Sequence, residues 1–153
     1  MKKKVFTLPF LVSLFLFNAG FMFKPKVRAF TCGDYYHLAK SNEELLKIQE
    51  EIIIFDNKGV AYQYDYASNK VSPEKVRVIG DINLILKESY LQGSNFYSDY
   101  DLMMYGVPAT MQFILNYDRN TFSSSYSMYG STEYTDSVDC KEIEFPKDTK
   151  FEY

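Results

Sequence analysis

From Ile52 onward, apolar and polar positions alternate with a period of two rather than a helical period. Ile52–Phe55 is an apolar, β-branched run, and Asp56-Asn57-Lys58-Gly59 has turn composition. Val60, Tyr62, Tyr64 and Tyr66 then share one parity against Ala61, Gln63 and Asp65, which predicts a hairpin over 51–66. Residues 67–75 read as a loop. In 75–89, Val76, Val78, Ile82, Leu84 and Leu86 share a parity that Gly80 interrupts. One long bulged strand and two strands joined at Gly80-Asp81 both fit, and the hairpin is preferred. Residues 90–110 are rich in Gly, Ser, Asp and Tyr and read as irregular, with a short strand at 101–105 ended by Gly106 and Pro108.

The clearest pattern follows. Met111, Phe113, Leu115 and Tyr117 share one parity, DRNT turns, and Phe122, Ser124, Tyr126 and Met128 share the next, which predicts a hairpin over 111–130. A last strand at 133–140 places Tyr134, Val138 and Cys140 on one face, and Pro146 is expected to end order. Before the first hairpin, 34–38 reads as briefly extended. Ser41 and Glu44 form a capping box ahead of Leu45, Ile48 and Ile52, so a short helix is expected near 42–50. The sum is a mainly all-β chain: a small antiparallel barrel or sandwich of about seven strands with one short helix.

The start of the chain changes the picture. Lys2, Lys3 and Lys4 precede a mostly apolar run over 5–23, and Val27 and Ala29 stand at −3 and −1 of a cut before Phe30. This is the composition of a secretory signal over 1–29. A cut near Ala19 and Gly20, or a retained anchor, are the alternatives. A single β-rich domain is expected over 30–145 and a flexible tail over 146–153. Removing 1–29 leaves 124 residues with 11 basic and 20 acidic side chains, a net charge of −9. That balance argues against nucleic acid and against an anionic membrane surface, and no stable membrane insertion is expected after cleavage. A secreted or periplasmic location follows from the leader.

The only cysteines are Cys32 and Cys140, 108 residues apart. Residues 24–31 separate Cys32 from the apolar run, which is too far for a lipoprotein anchor, and one histidine, His37, is too few for a zinc site. In an oxidising compartment the pair is expected to form a disulfide tying the two ends of the domain, worth about 4–5 kcal/mol in the chain-entropy model. Among 14 tyrosines, those at strand parity read as packing, whereas Tyr97, Tyr100 and Tyr105, with Asp101, are candidate recognition residues of a 90–110 loop. No hydrolase elbow, zinc helix or phosphate loop accompanies His37, so no enzyme and no cofactor are expected.

The closing hairpin ILNYDRNTFSSSYS with its following cysteine looks like the ends of short secreted bacterial proteins. The inferred architecture resembles small calycin-like barrels and the disulfide-tied barrel inhibitors of lysozyme. The inhibitors' Gly/Ser-rich loop before an Ala-Arg-Tyr run and their tryptophan-bearing strand are missing, so no residue role carries over. The expected function is an exported, non-catalytic module recognising a protein or a small ligand. A structural, envelope-associated protein and a hydrolase using His37 are the alternatives.

Overall fold

A computed structural model describes residues 24–33 and 51–153. Twelve strands lie among them: β1 Val27–Cys32, β2 Glu51–Asp56, β3 Ala61–Asp65, β4 Lys70–Pro73, β5 Val76–Ile79, β6 Ile82–Gln92, β7 Asn95–Met104, β8 Val107–Asn116, β9 Thr121–Met128, β10 Ser131–Tyr134, β11 Val138–Ile143 and β12 Lys150–Phe151. The all-β expectation holds, and no helix occurs among the described residues. The helix expected at 42–50 and the short strand at 34–38 lie outside them.

The strands form one sheet in the order β12-β4-β3-β2-β1-β11-β9-β8-β7-β6-β5, with β10 beside β9. The sheet curls into a half-barrel whose end strands, β5 and β12, do not pair with each other. Every pairing is antiparallel except the two-residue match of β12 with β4.

Both strong hairpins form where periodicity placed them, as β2–β3 and β8–β9, and Gly80 turns between β5 and β6. The count of about seven strands is corrected to twelve among the described residues: β1 and β12 flank the expected set, and three segments between them differ. First, the 90–110 segment is not a loop: it is the end of β6, all of β7 and the start of β8. Phe96, Ser98, Tyr100 and Leu102 face inward at period two, but Ser98 and the outward Asp99 and Asp101 dilute the pattern. Tyr105 and Gly106 carry φ of 52° and 77°, the two positive values of a two-residue hairpin turn. Second, the 67–75 segment contains β4. Third, the strand expected at 133–140 is split between β10 and β11.

The tail is also corrected. Residues 146–153 dock rather than dangle: Thr149 Oγ1 donates to Asn69 Oδ1 at 2.9 Å, the Glu152 amide donates to Val71 O at 2.8 Å, and Tyr153 meets Tyr62 edge-on. Pro146 precedes the turn into β12 instead of ending order.

Curling gives the chain two cores. The larger joins Phe30, Cys32, Ile53 and Phe55 of β1 and β2 to Leu84, Phe96, Tyr100, Phe113, Leu115 and Phe122 of β6–β9. Phe55 stacks on Phe96 with ring centroids 4.5 Å apart. The smaller lies on the other face of β1–β4, where Ala29, Ile54, Tyr62 and Val71 pack with Ile143 and Phe145. Strands β1 and β2 therefore bury both faces, which is why Ile52–Phe55 is a continuous apolar run rather than an alternating one.

Cys32 and Cys140 are cross-strand partners in β1 and β11, with their sulfurs in bonding contact at 2.15 Å. β1 begins at Val27, ahead of the boundary expected at Phe30, so Val27–Ala29 are part of the sheet.

The β2–β3 turn touches β6 through Gly59, whose φ is +81° and whose added Cβ would lie 2.7 Å from the Leu91 amide nitrogen. Backbone cannot yield as a side chain can. Gly59→Ala is expected to lower the unfolding free energy by about 2–4 kcal/mol in urea titrations. Cys32→Ser with Cys140→Ser is expected to lower it by about 2–5 kcal/mol, measured against the oxidised parent.

Candidate functional site

Among the described residues, the half-barrel's interior is packed with side chains. Its inner faces meet in Phe30, Phe96, Tyr100, Phe122 and Leu115, each under 2% exposed. Glu74, Arg77 and Tyr100 engage one another within this core, while the buried Ser98 hydroxyl has no hydrogen-bond partner among the described residues. Glu74, just before β5, is 5% exposed and sends its amide to Ala61 O. Its carboxylate accepts Arg77 Nε at 3.0 Å, Arg77 Nη2 at 2.7 Å and the Tyr100 hydroxyl at 2.6 Å. Arg77 Nη1 donates to Ile52 O at 3.0 Å, and the guanidinium lies 5.5 Å from the Phe113 ring centroid. Burial raises the Glu74 carboxyl and lowers the Arg77 guanidinium, while their two-pronged contact opposes both shifts. Tyr100 is raised too, first by desolvation. The trio joins the short strand β5 to β2 and β7, and its hydrogen bonds are directed at protein groups. Its geometry is that of a structural clamp.

The outer face of β6–β10 is different. Register places side chains in rows across the strands. One row is Ile85, Asp101, Thr110, Ser127 and Thr132. The next is Glu88, Asp99, Gln112, Ser125 and Tyr134, and the next Tyr90, Tyr97, Ile114 and Ser123. A groove of about 850 Å³ runs past Ile85, Asp101, Met103, Pro108, Thr110 and Tyr129. A second, of about 310 Å³, shares Asp101, Thr110 and Ser127 with it and continues past Glu88, Asp99 and Gln112. The two form one trough.

The trough carries a definite charge. Glu88, Asp99 and Asp101 line it, and Lys87, placed by the bulge between Leu86 and Glu88, reaches Asp101 only at 4.0 Å. Gln112 Nε2 donates to Asp99 Oδ1 at 2.7 Å and fixes that carboxylate. The Tyr90 hydroxyl is raised, by desolvation first and by Asp99 and Glu88 next, as a negative field requires. Tyr90 stacks on Tyr97 at 5.0 Å beside the trough. Ile85 and Met103 are more than half exposed, as are Tyr129 and Tyr134.

The four residues singled out from sequence separate. Asp101 is in the trough and Tyr97 lies on the same outer face. Tyr105 is 96% exposed at the tip of the β7–β8 turn. Tyr100 is 1% exposed and belongs to the clamp, so it has no surface to offer a partner. Odd and even positions of one strand face opposite ways, so Tyr100 and Asp101 cannot share a site. Sequence reasoning missed Ile85, Met103, Thr110, Ser125 and Ser127, which are spread over the four strands β6 to β9. The alternating serines of Ser123, Ser125 and Ser127 were the available signal. His37 lies outside the described residues. No group of acids, cysteines or histidines among the described residues has metal-binding geometry.

Compared with protein-family models, with curated proteins and with solved structures, this chain matches none.

The clamp is testable by stability alone. Arg77→Leu leaves a carboxylate buried without its counter-charge and is expected to lower the unfolding free energy by about 3–5 kcal/mol. Glu74→Leu combined with Arg77→Leu recovers part of that loss, because no charge is then stranded. Equilibrium denaturation of the two variants checks the order.

Proposed function

We propose that this protein is an exported, non-catalytic recognition module that binds an extended polypeptide carrying Lys or Arg beside large apolar residues, along the outer face of β6–β9. One observation supports this reading above the others: the interior is filled while the outer trough is open, acidic and edged by exposed Ile85, Met103 and Tyr129. Carboxylates recognise a cation best where apolar neighbours exclude water from part of the contact. The hydroxyl and amide floor of Thr110, Gln112, Ser125 and Ser127 offers hydrogen bonds to a peptide backbone. The acidic balance of the chain suits the same partner by steering it at long range. A bonded cysteine pair is consistent with an oxidising, extracytoplasmic compartment.

The buried carboxylate with a perturbed titration, Glu74, is engaged by Arg77 and Tyr100 and has no open face.

An immobilised library of random octapeptides probed with the purified protein is expected to retain it on members pairing Lys or Arg with Leu, Ile, Phe or Met, at roughly micromolar Kd. Binding should weaken as salt rises. The variant Asp99→Lys with Asp101→Lys should lose at least tenfold in affinity while melting within a few degrees of the parent. Equal retention by acidic peptides, or unchanged binding in the variant, rejects the reading.

A further inference from the structure

The leader and the sheet compete for the same residues. β1 is an interior strand, flanked by β2 on one side and β11 on the other. Val27 pairs with Asp56, Arg28 with Phe55 and Ala29 with both Ile54 and Ile143. Ala29 is 1% exposed within the smaller core. Arg28 donates from Nε and Nη2 to the two carboxylate oxygens of Glu142, at 2.8 and 3.0 Å. Its guanidinium lies 5.0 Å from the Phe30 ring centroid and 5.2 Å from that of Tyr117. A cut after Ala29 would discard all of this. It would also create a charged α-amino group on Phe30, which is 0% exposed and faces the larger core. Burying an unpaired ammonium there is strongly unfavourable.

We propose that the leader is removed at the Asn18-Ala19-Gly20 junction, and that the exported domain keeps Val27–Ala29 as the first half of β1. This rests on the export reading above. Signal cleavage needs a small residue before the cut. Between Phe17 and Val27 the only such residues are Ala19 and Gly20, where the apolar run ends. The proposal also gives the cations after that run a place. Lys24, Lys26 and Arg28 stay with the mature chain, which then has 14 basic against 20 acidic residues and a net charge of −6. Arg28 forms a bidentate pair and holds the Glu142 carboxyl below its usual range, chiefly through the hydrogen bond.

Expression of the full chain in a secreting host, followed by intact mass and N-terminal sequencing of the exported material, tests the boundary. The expected first residue is Gly20 or Phe21. Phe30 as the first residue in exported material overturns the proposal and leaves the export reading standing. Uncut chain confined to the cytoplasm removes the export reading and the proposal with it. Uncut chain in the membrane fraction, with its leader as an anchor, also overturns the proposal. A second measurement is independent of processing chemistry. Arg28→Glu is expected to lower the melting temperature of exported protein by about 3 °C, and Glu142→Arg in the same chain to restore it. If residue 28 is discarded before folding, Arg28→Glu has no effect, and that result also counts against the proposal.

Discussion

A strand buried on both faces and paired on both edges has no freedom of register, and Val27–Cys32 is such a strand. Shifting it by one residue would exchange Phe30 and Cys32 with Ala29 and Thr31 between two differently shaped cores. It would also separate Cys32 from Cys140 and Arg28 from Glu142, which lie on the same partner strand. The disulfide and the ion pair therefore fix one register by two unrelated chemistries. Because β1 stands near the start of the described chain and β11 near its end, the sheet cannot be completed until the chain has returned to its beginning. That makes the closing contact non-local and the covalent link across it effective.

The rest of the sheet extends outward from this seam. On one side β2, β3 and β4 continue the β1 surface and are covered by Phe145, Phe151 and Tyr153 from the tail. On the other, β9 to β5 curl over the larger core. Aromatic rings fill that core, and the Glu74–Arg77–Tyr100 clamp joins the edge strand β5 to it. A buried ion pair is a weak source of net stability, because desolvation offsets most of the attraction. Its position points to register instead: β5 is four residues long, and the clamp adds directed hydrogen bonds to its pairing with β6.

Among the described residues, the interior is packed, the tail covers β1–β4, and the outer face of β6–β10 is a broad surface that no described segment covers. It is the place where large apolar groups, carboxylates and rows of hydroxyls meet, with two adjoining grooves along it. The same strands that pack the core on the inside carry the proposed recognition surface on the outside.

Sequence by itself determined the strand character, three of the hairpins and the cysteine pairing. Period-two alternation is local, and two thiols admit one intramolecular bond. It also marked Tyr97, Asp101 and Tyr105 as worth attention. What it missed has a common cause. Strands β4, β7 and β12 carry polar or mixed outer faces and lie next to turns, so locally they resemble loops; they become strands only when a neighbour supplies the ladder hydrogen bonds and the core accepts their inward residues. The ends of the described chain show the same dependence on distant partners. Val27–Ala29 matched a cleavage motif and Pro146 matched a terminator, yet both segments are held by contacts far along the chain. Tyr100 shows the point at one residue: its neighbours make it a candidate for binding, and only the sheet's curl, which brings Glu74 to its hydroxyl, makes it part of the core. Which residues share a face is fixed by the strand, but which face is inside is fixed by partners that the local sequence does not contain.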